Sequence, residues 1–306
     1  MIKKHLHTFD LKQYSYRINW EITQQCNFSC AYCSNYETVN KATPPKVYTP
    51  AEIASFFERT GKQWLILITG GEPFLYPDFV DVCKELSTHH FLQITTNLSS
   101  SELYRFGDSI PPDKVFNISA SYHHYYRNDE HEKKEFIRKC HYLLERNFKL
   151  IANLVAYPPL LDTIENDIAL LGSEGIDTMV FGYRGIYNNK QYPYAYQENE
   201  LALIKKYAID ETELKIATNE LNFYGHYCEA GSRYFSLDQD GDIGRCFTLP
   251  KKIGNFFTGG VPACEKLKPC IAKQCTDCYN GPASVTGKKA SAISIWNEKR
   301  RYKKQY

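Results

Sequence analysis

Cys26-Asn27-Phe28-Ser29-Cys30-Ala31-Tyr32-Cys33 places three cysteines at spacings of three and two intervening residues. Three thiolates that close can hold one soft metal centre. Iron–sulfur clusters are held by cysteine thiolates, usually four. No local fourth is present, because the next cysteine, Cys83, sits in a helix-like pattern. A cluster on three cysteines leaves one iron open for a further ligand. Zinc would want a fourth Cys or His nearby, and none follows within about thirty residues. A zinc site and a chance grouping are the alternatives.

A second group lies towards the C-terminus: Cys228, Cys246, Cys264, Cys270, Cys275 and Cys278. Cys275-Thr276-Asp277-Cys278 has the close-pair spacing of a metal knuckle. Between Cys228 and Cys246, Asp240-Gly241 flanked by alternating apolar residues signals a hairpin. Its acids suggest half an EF-hand, but the later glutamate is missing, so calcium is discarded. A zinc ribbon on Cys228, Cys246, Cys275 and Cys278 is one reading of this group.

The elements that must position these residues alternate. Tyr16 to Thr23 reads as a strand delivering the first cysteine loop. Thr49-Pro50 opens a helix as cap and first-turn proline. Trp64 to Thr69 is a continuous apolar run, as in a buried parallel strand, and ends in Gly70-Gly71-Glu72-Pro73. Helix from Pro77 to Thr88, strand from Phe91 to Asn97, and a short helix from Ser101 to Phe106 follow. Then come strand Val115 to Ser121, helix Glu130 to Arg146, strand Lys149 to Val155, helix Leu160 to Leu171, strand Ile176 to Phe181 and helix Asn199 to Tyr207. Alternation of this kind means a parallel sheet with right-handed crossovers. Such α/β folds place chemistry at the C-terminal ends of strands, where every polar motif above lies. Cys83 and Cys140 fall on apolar helix faces, where core packing is the default.

The first cysteine triad, with aromatic Tyr32 before its last member, resembles the signature of the radical S-adenosylmethionine (SAM) enzymes. The resemblance covers roughly residues 15–210 and implies a partial (β/α)6 TIM-like barrel. It implies Cys26, Cys30 and Cys33 as ligands of a [4Fe-4S] cluster whose open iron is chelated by the methionine part of SAM. It also implies that cleavage of SAM yields a 5′-deoxyadenosyl radical that takes hydrogen from substrate. Tyr32 is then expected near the adenine or the cluster. Gly70 and Gly71 would give backbone contacts to SAM, Glu72 would accept its amino group, and Pro73 completes the motif. Asn97, Ser119, Ser121 and Asn153 at strand ends are candidates for its carboxylate or ribose. As strand-end polar residues they could equally cap turns. His123, His124, Tyr183 and Arg184 are candidates for proton supply or for the substrate pocket.

The C-terminal group, with Cys228-x12-Gly241-x4-Cys246 and a closing pair, is similar to the SPASM or twitch auxiliary-cluster domains of the same superfamily. This implies one auxiliary [4Fe-4S] cluster on Cys228, Cys246, Cys275 and Cys278, with Cys270 as the readiest substitute and Cys264 free. The expected division is an N-terminal extension (1–15), the barrel (16–210), a cysteine-rich β-hairpin/helix auxiliary domain (211–282) and a basic tail (283–306). The implied activity is oxidoreductase chemistry of dehydrogenase or maturase type. The substrate would be a peptide or an aminocyclitol- or sugar-like small molecule, and the electron donor a flavodoxin or ferredoxin.

Bulk composition agrees with a globular enzyme. At 306 residues the chain can bury a sizeable core. A net charge of +2 argues against a whole-molecule nucleic-acid binder. The exception is the last segment, where Lys288, Lys289, Lys299, Arg300, Arg301, Lys303 and Lys304 face one acid, Glu298, and a solvated tail is expected. No secretory signal and no membrane-spanning run is evident, and the eleven cysteines argue for metal in a cytoplasmic setting. About fifteen residues precede the first strand, too few for a leader-peptide domain. A non-catalytic binding protein on the same framework, or a zinc protein, are the rival readings.

Overall fold

The computed structural model describes residues 10–33, 43–208, 214–215, 218, 220–261, 266–272, 275 and 283–304. Six parallel strands run in sequence order: β1 (Arg17–Thr23), β2 (Leu65–Gly70), β3 (Phe91–Thr96), β4 (Val115–Ser121), β5 (Leu150–Ala156) and β6 (Thr178–Gly182). The connecting helices are α1 (Pro50–Glu58), α2 (Phe79–Ser87), α3 (Glu102–Ser109), α4 (Glu130–Glu145) and α5 (Leu161–Ser173), and α6 (Glu198–Tyr207) follows β6. This is the alternation expected of a partial TIM-like sheet.

Local chemistry explains the boundaries. Thr49 and Glu52 form a reciprocal capping box with Pro50 in the first turn of α1. Phe79, Val80, Cys83 and Leu86 are the buried stripe of α2, and Cys140 is likewise buried in α4. The main core cluster is aromatic-rich and includes Trp20, Phe57, Trp64 and Phe106, and a smaller separate cluster holds Cys228, Tyr234 and Cys246.

Beyond the β7 (Gly185–Tyr187)–β8 (Lys190–Tyr192) hairpin and strand β9 (His226–Cys228), the expected Asp240-Gly241 hairpin forms between β10 (Tyr234–Leu237) and β11 (Asp242–Cys246). Its acids bond the turn: Asp238 Oδ1 accepts the N–H groups of Asp240 (3.0 Å) and Asp242 (2.8 Å). Strand β12 (Leu249–Asn255) extends the meander. Unexpectedly, β10 pairs in parallel with β1, so the sheet runs β12-β11-β10-β1-β2-β3-β4-β5-β6. The C-terminal hairpin therefore continues the barrel sheet rather than standing apart from it.

The expected basic tail is a correction. Residues 285–289 form β14 (Val285–Lys289), which pairs with β9, as does β13 (Lys268–Pro269). Helix α7 (Ala292–Lys304) follows. The reason is a buried cation. Arg245 of β11 has a 3%-exposed side chain; it bonds the carbonyls of Ala230, Lys268 and Pro269, and its charge is met by Glu298 of α7 at 2.8 Å. A buried guanidinium needs acceptors and a counter-charge, and the one acid in the basic run supplies it. No helix among the described residues is long and apolar enough to cross a membrane.

Candidate active site

The first cysteine loop leaves the C-terminal end of β1, against the end of β2. Gly70 (φ +143°) and Gly71 make that contact possible. A Cβ on Gly70 would stand 2.1 Å from Thr23 O, and one on Gly71 2.1 Å from Gln25 O. The gap is closed by backbone bonds, Gly71 N–H to Thr23 O (2.7 Å) and Glu72 N–H to Gln25 O (2.8 Å). The same two glycines bring the backbone of β2 against the chain itself, which docks β2 onto the approach to Cys26.

Glu72 is buried at 1% exposure. Its Oε1 accepts Phe74 N–H (3.2 Å) and Thr96 Oγ1 (2.7 Å), and its Oε2 accepts Asn97 N–H (2.7 Å). Burial nevertheless outweighs these donors and pushes its carboxyl up to about 7. A carboxylate has about four acceptor positions; two are spent on joining β2 to β3, one caps the Pro73–Leu75 turn, and one is left. Pro73 opens the following 3-10 turn. Asn97 is similarly engaged: its Nδ2 donates to Asn27 Oδ1 (2.9 Å), and its Oδ1 accepts Ser99 N–H (2.8 Å).

Cys26, Cys30 and Cys33 lie close enough to repel one another as thiolates. Burial first, then the charges of Cys33 and Cys26, pushes Cys30 up to about 12. Burial also raises Cys26. Left to themselves the Cys26 and Cys30 thiols stay protonated. A bound iron centre reverses that, because cysteine ligands are deprotonated on binding and the metal charge inverts the local balance. The donor set therefore fits an iron–sulfur cluster. Among the described residues no three His, Cys, Asp or Glu side chains form a site for a single ion. A cube of iron and sulfide is wider than an ion and does not require that convergence.

The segment after β4 clamps this loop, a role not read from the sequence. Tyr126 stacks on Phe28 (centroids 3.9 Å apart, rings within 2°), and its hydroxyl accepts Ser29 N–H at 2.6 Å. Arg127 lies over Phe28 at 5.5 Å and donates to Asn97 O at 2.7 Å. His123 Nδ1 is 3.4 Å from Cys30 Sγ and 3.2 Å from Tyr32 Oη. His124 instead bonds Asp167 of α5 at 2.6 Å, where Tyr122 Oη also donates (3.3 Å). Of the two histidines named from sequence, only His123 reaches the cysteine loop. The alternation of aromatic and basic residues after β4 was the available signal, but which of them faces the loop is a tertiary fact.

Ser119 and Asn153, both buried, bond each other through Asn153 Nδ2 and Ser119 Oγ. Ser121, half-buried at the end of β4, is in register with Asn153. Tyr32, Tyr157 and Tyr183 form a buried series, with centroids 5.3 and 5.0 Å apart. Arg184, next after Tyr183, donates to Cys275 O at 3.3 Å. That bond links the end of β6 to the second cysteine group, where Cys228, Cys246, Cys270 and Cys275 line one cavity. Cys264 and Cys278 lie outside the described residues.

The sequence model of the radical SAM superfamily matches residues 20–171, which hold the triad, the Gly70–Pro73 turn and strands β2 to β5. The chain carries a radical SAM superfamily domain. This domain implies a [4Fe-4S] cluster and SAM. Segments of the chain are 33% identical over 91 residues to molybdenum cofactor biosynthesis protein 1 of Homo sapiens, covering 28% of this chain and 14% of that protein. They are 36% identical over 92 residues to GTP 3′,8-cyclase of Haemophilus influenzae, covering 28% and 27%. They are 35% identical over 82 residues to 7-carboxy-7-deazaguanine synthase of Methanothermobacter thermautotrophicus, covering 26% and 33%. The matches span a third or less of those relatives' length.

Among solved structures, this chain is similar to Streptococcus suis SuiB bound to S-adenosylmethionine. The TM-score is 0.57 at 17% identity, over 80% of this chain and 64% of that one. It is also similar to anSMEcpe with bound AdoMet, at TM-score 0.55 and 13% identity over 80% and 78%. At these identities the likeness is one of fold.

Proposed function

We infer that the protein is a radical SAM oxidoreductase with a second iron–sulfur centre in its C-terminal part. Cys26, Cys30 and Cys33 would hold the first cluster. Glu72, through its remaining acceptor position, and Ser121, at the end of β4, would contact SAM. When bound, cluster and SAM supply a 5′-deoxyadenosyl radical that takes hydrogen from the substrate. The protein's own part is to fix the cysteine loop between β2 and the post-β4 clamp, and to keep water from the mouth with buried Tyr32, Tyr157 and Tyr183.

The observation that supports the second centre is that Cys228, Cys246, Cys270 and Cys275 all line one cavity, whose Cys275 carbonyl is bonded to Arg184 at the end of β6. Four thiols around one space are the usual complement for a four-iron cluster. That centre would accept the electron left on substrate after hydrogen abstraction, or would anchor the substrate. Cys270 is the fourth ligand suggested by the cavity, and Cys278 the one suggested by the spacing.

A peptide substrate is favoured over an aminocyclitol or sugar. SuiB in complex with its precursor peptide SuiA and anSMEcpe with a bound peptide share the fold over about four fifths of this chain. A flavodoxin- or ferredoxin-type donor would reduce the first cluster.

The test is anaerobic reconstitution with iron and sulfide counting, followed by 5′-deoxyadenosine assay after reduction. Two four-iron cubes require about eight irons, falling to about four in the Cys26/Cys30/Cys33→Ala variant. Loss of the second four in Cys270→Ala but not Cys278→Ala would assign the fourth ligand to Cys270, and the reverse would assign it to Cys278. About four irons in the wild type, all lost with the triad, would remove the second centre. No 5′-deoxyadenosine from fully loaded protein would overturn the enzymatic reading in favour of a binding protein.

A further inference from the structure

We propose that His123 is a hydrogen-bond donor to the sulfur of Cys30 and thereby sets the reduction potential of the cluster on Cys26, Cys30 and Cys33. The inference rests on the reading of those cysteines as cluster ligands and adds a residue with a defined electronic role.

Three observations carry it. First, the contact is tertiary: His123 follows β4, ninety-three positions from Cys30, yet its Nδ1 stands 3.4 Å from Sγ. Second, it belongs to a closed triangle. The same nitrogen is 3.2 Å from Tyr32 Oη, and the Tyr32 hydroxyl itself hydrogen-bonds Cys30. In the tautomer that carries its proton on Nδ1, two protons, that one and the phenol's, are available to one sulfur. A thiolate can accept both, whereas a protonated thiol competes with them. Third, the imidazole plane is held from two sides. Phe28 meets it edge-on at 5.6 Å, and the Tyr32 ring lies nearly parallel to it, 26° between planes. A ring so held keeps its Nδ1 directed at the sulfur.

Hydrogen bonds to ligand sulfurs are one of the levers that place a cluster within its wide range of potentials. Such partners act from outside the set of atoms that bind the metal. A donor withdraws electron density from sulfur and favours the reduced, more negative cluster. Removing it should make the cluster harder to reduce. His124, one residue on, is no alternative source, because its Nδ1 is committed to Asp167.

The test is an anaerobic redox titration of the reconstituted full chain, followed by electron paramagnetic resonance, without substrate. The signal that changes on adding SAM identifies the cluster in question. Its absence from wild type would refute the ligand reading rather than this inference. With that signal present, His123→Phe should keep its iron and sulfide but show roughly a tenfold lower ratio of reduced to oxidised cluster at the same poise. For one electron this is a midpoint about 59 mV more negative. His123→Asn, which can return an N–H to the same place, should recover part of the shift. A His123→Phe protein with full iron and an unchanged midpoint overturns the proposal. Should the Phe variant fail to load, wild type grown with 15N-histidine decides. A 15N coupling to the SAM-responsive signal supports the bond, and its absence refutes it.

Discussion

Glu72 Oε2 accepts the backbone N–H of Asn97 at 2.7 Å, so the acid of the Gly-Gly-Glu-Pro turn ties the end of β2 to the end of β3. The residue expected to meet the amino group of SAM is first a strut between two strands. Its burial gives it a pH signature. The carboxyl is raised from an ordinary 4.5 to about 7, mainly by desolvation. The native state therefore holds this proton more tightly than the unfolded chain does. Its contribution is fully present below pH 4.5 and is lost as pH rises through about 7, by at most about 3.4 kcal/mol. Glu72→Gln cannot titrate and should flatten that fall. Chemical denaturation between pH 5 and 8 measures it, and parallel curves for the two proteins would refute the shift.

Gly71 is a steric requirement. An alanine Cβ would sit 2.1 Å from Gln25 O. Gln25 O is backbone and a Cβ cannot rotate away, so the cysteine loop must move. Gly71→Ala should cost at least the 1–3 kcal/mol typical of overpacking and should lower iron content at the first site. Wild-type stability and full iron in this variant would show that the loop accommodates the methyl group at no cost.

The clamp is testable apart from any ligand. Tyr126→Ala removes the stack on Phe28 and the acceptor of Ser29 N–H. An aromatic pair is worth about 0.5–1.5 kcal/mol beyond its buried area. A modest fall in stability is expected, together with faster loss of iron to a chelator. A chelation rate equal to wild type would mean that the cysteine loop holds its shape unaided.

Helix α7 should behave as part of the fold. Glu298→Ala leaves the Arg245 guanidinium buried without its counter-charge. Breaking a buried pair in this way typically costs 3–5 kcal/mol. The double variant Arg245→Met with Glu298→Leu should recover much of that. Equal melting temperatures for Glu298→Ala and wild type would return residues 292–304 to the status of a solvated tail.

The sequence by itself determined what depends on neighbours along the chain. The Thr49–Glu52 capping box, the buried stripe of α2, the β10–β11 turn and the run of six parallel strands follow from short-range periodicity and capping. The triad spacing Cys26-x3-Cys30-x2-Cys33 is local in the same sense, and so its chemistry could be read directly.

Tertiary structure alone decided the rest. Whether His123 or His124 meets Cys30 turns on one residue of phase after β4, which no spacing rule resolves. That Gly70 and Gly71 serve the chain's own carbonyls depends on where β1 ends beside β2. The charge run at the C-terminus became a helix because Arg245, fifty-three residues away, needed Glu298 inside. In each case the deciding partner is distant in sequence. Its proximity is set by sheet register and by the cost of leaving a polar group buried and unmatched, and neither is encoded in any single stretch.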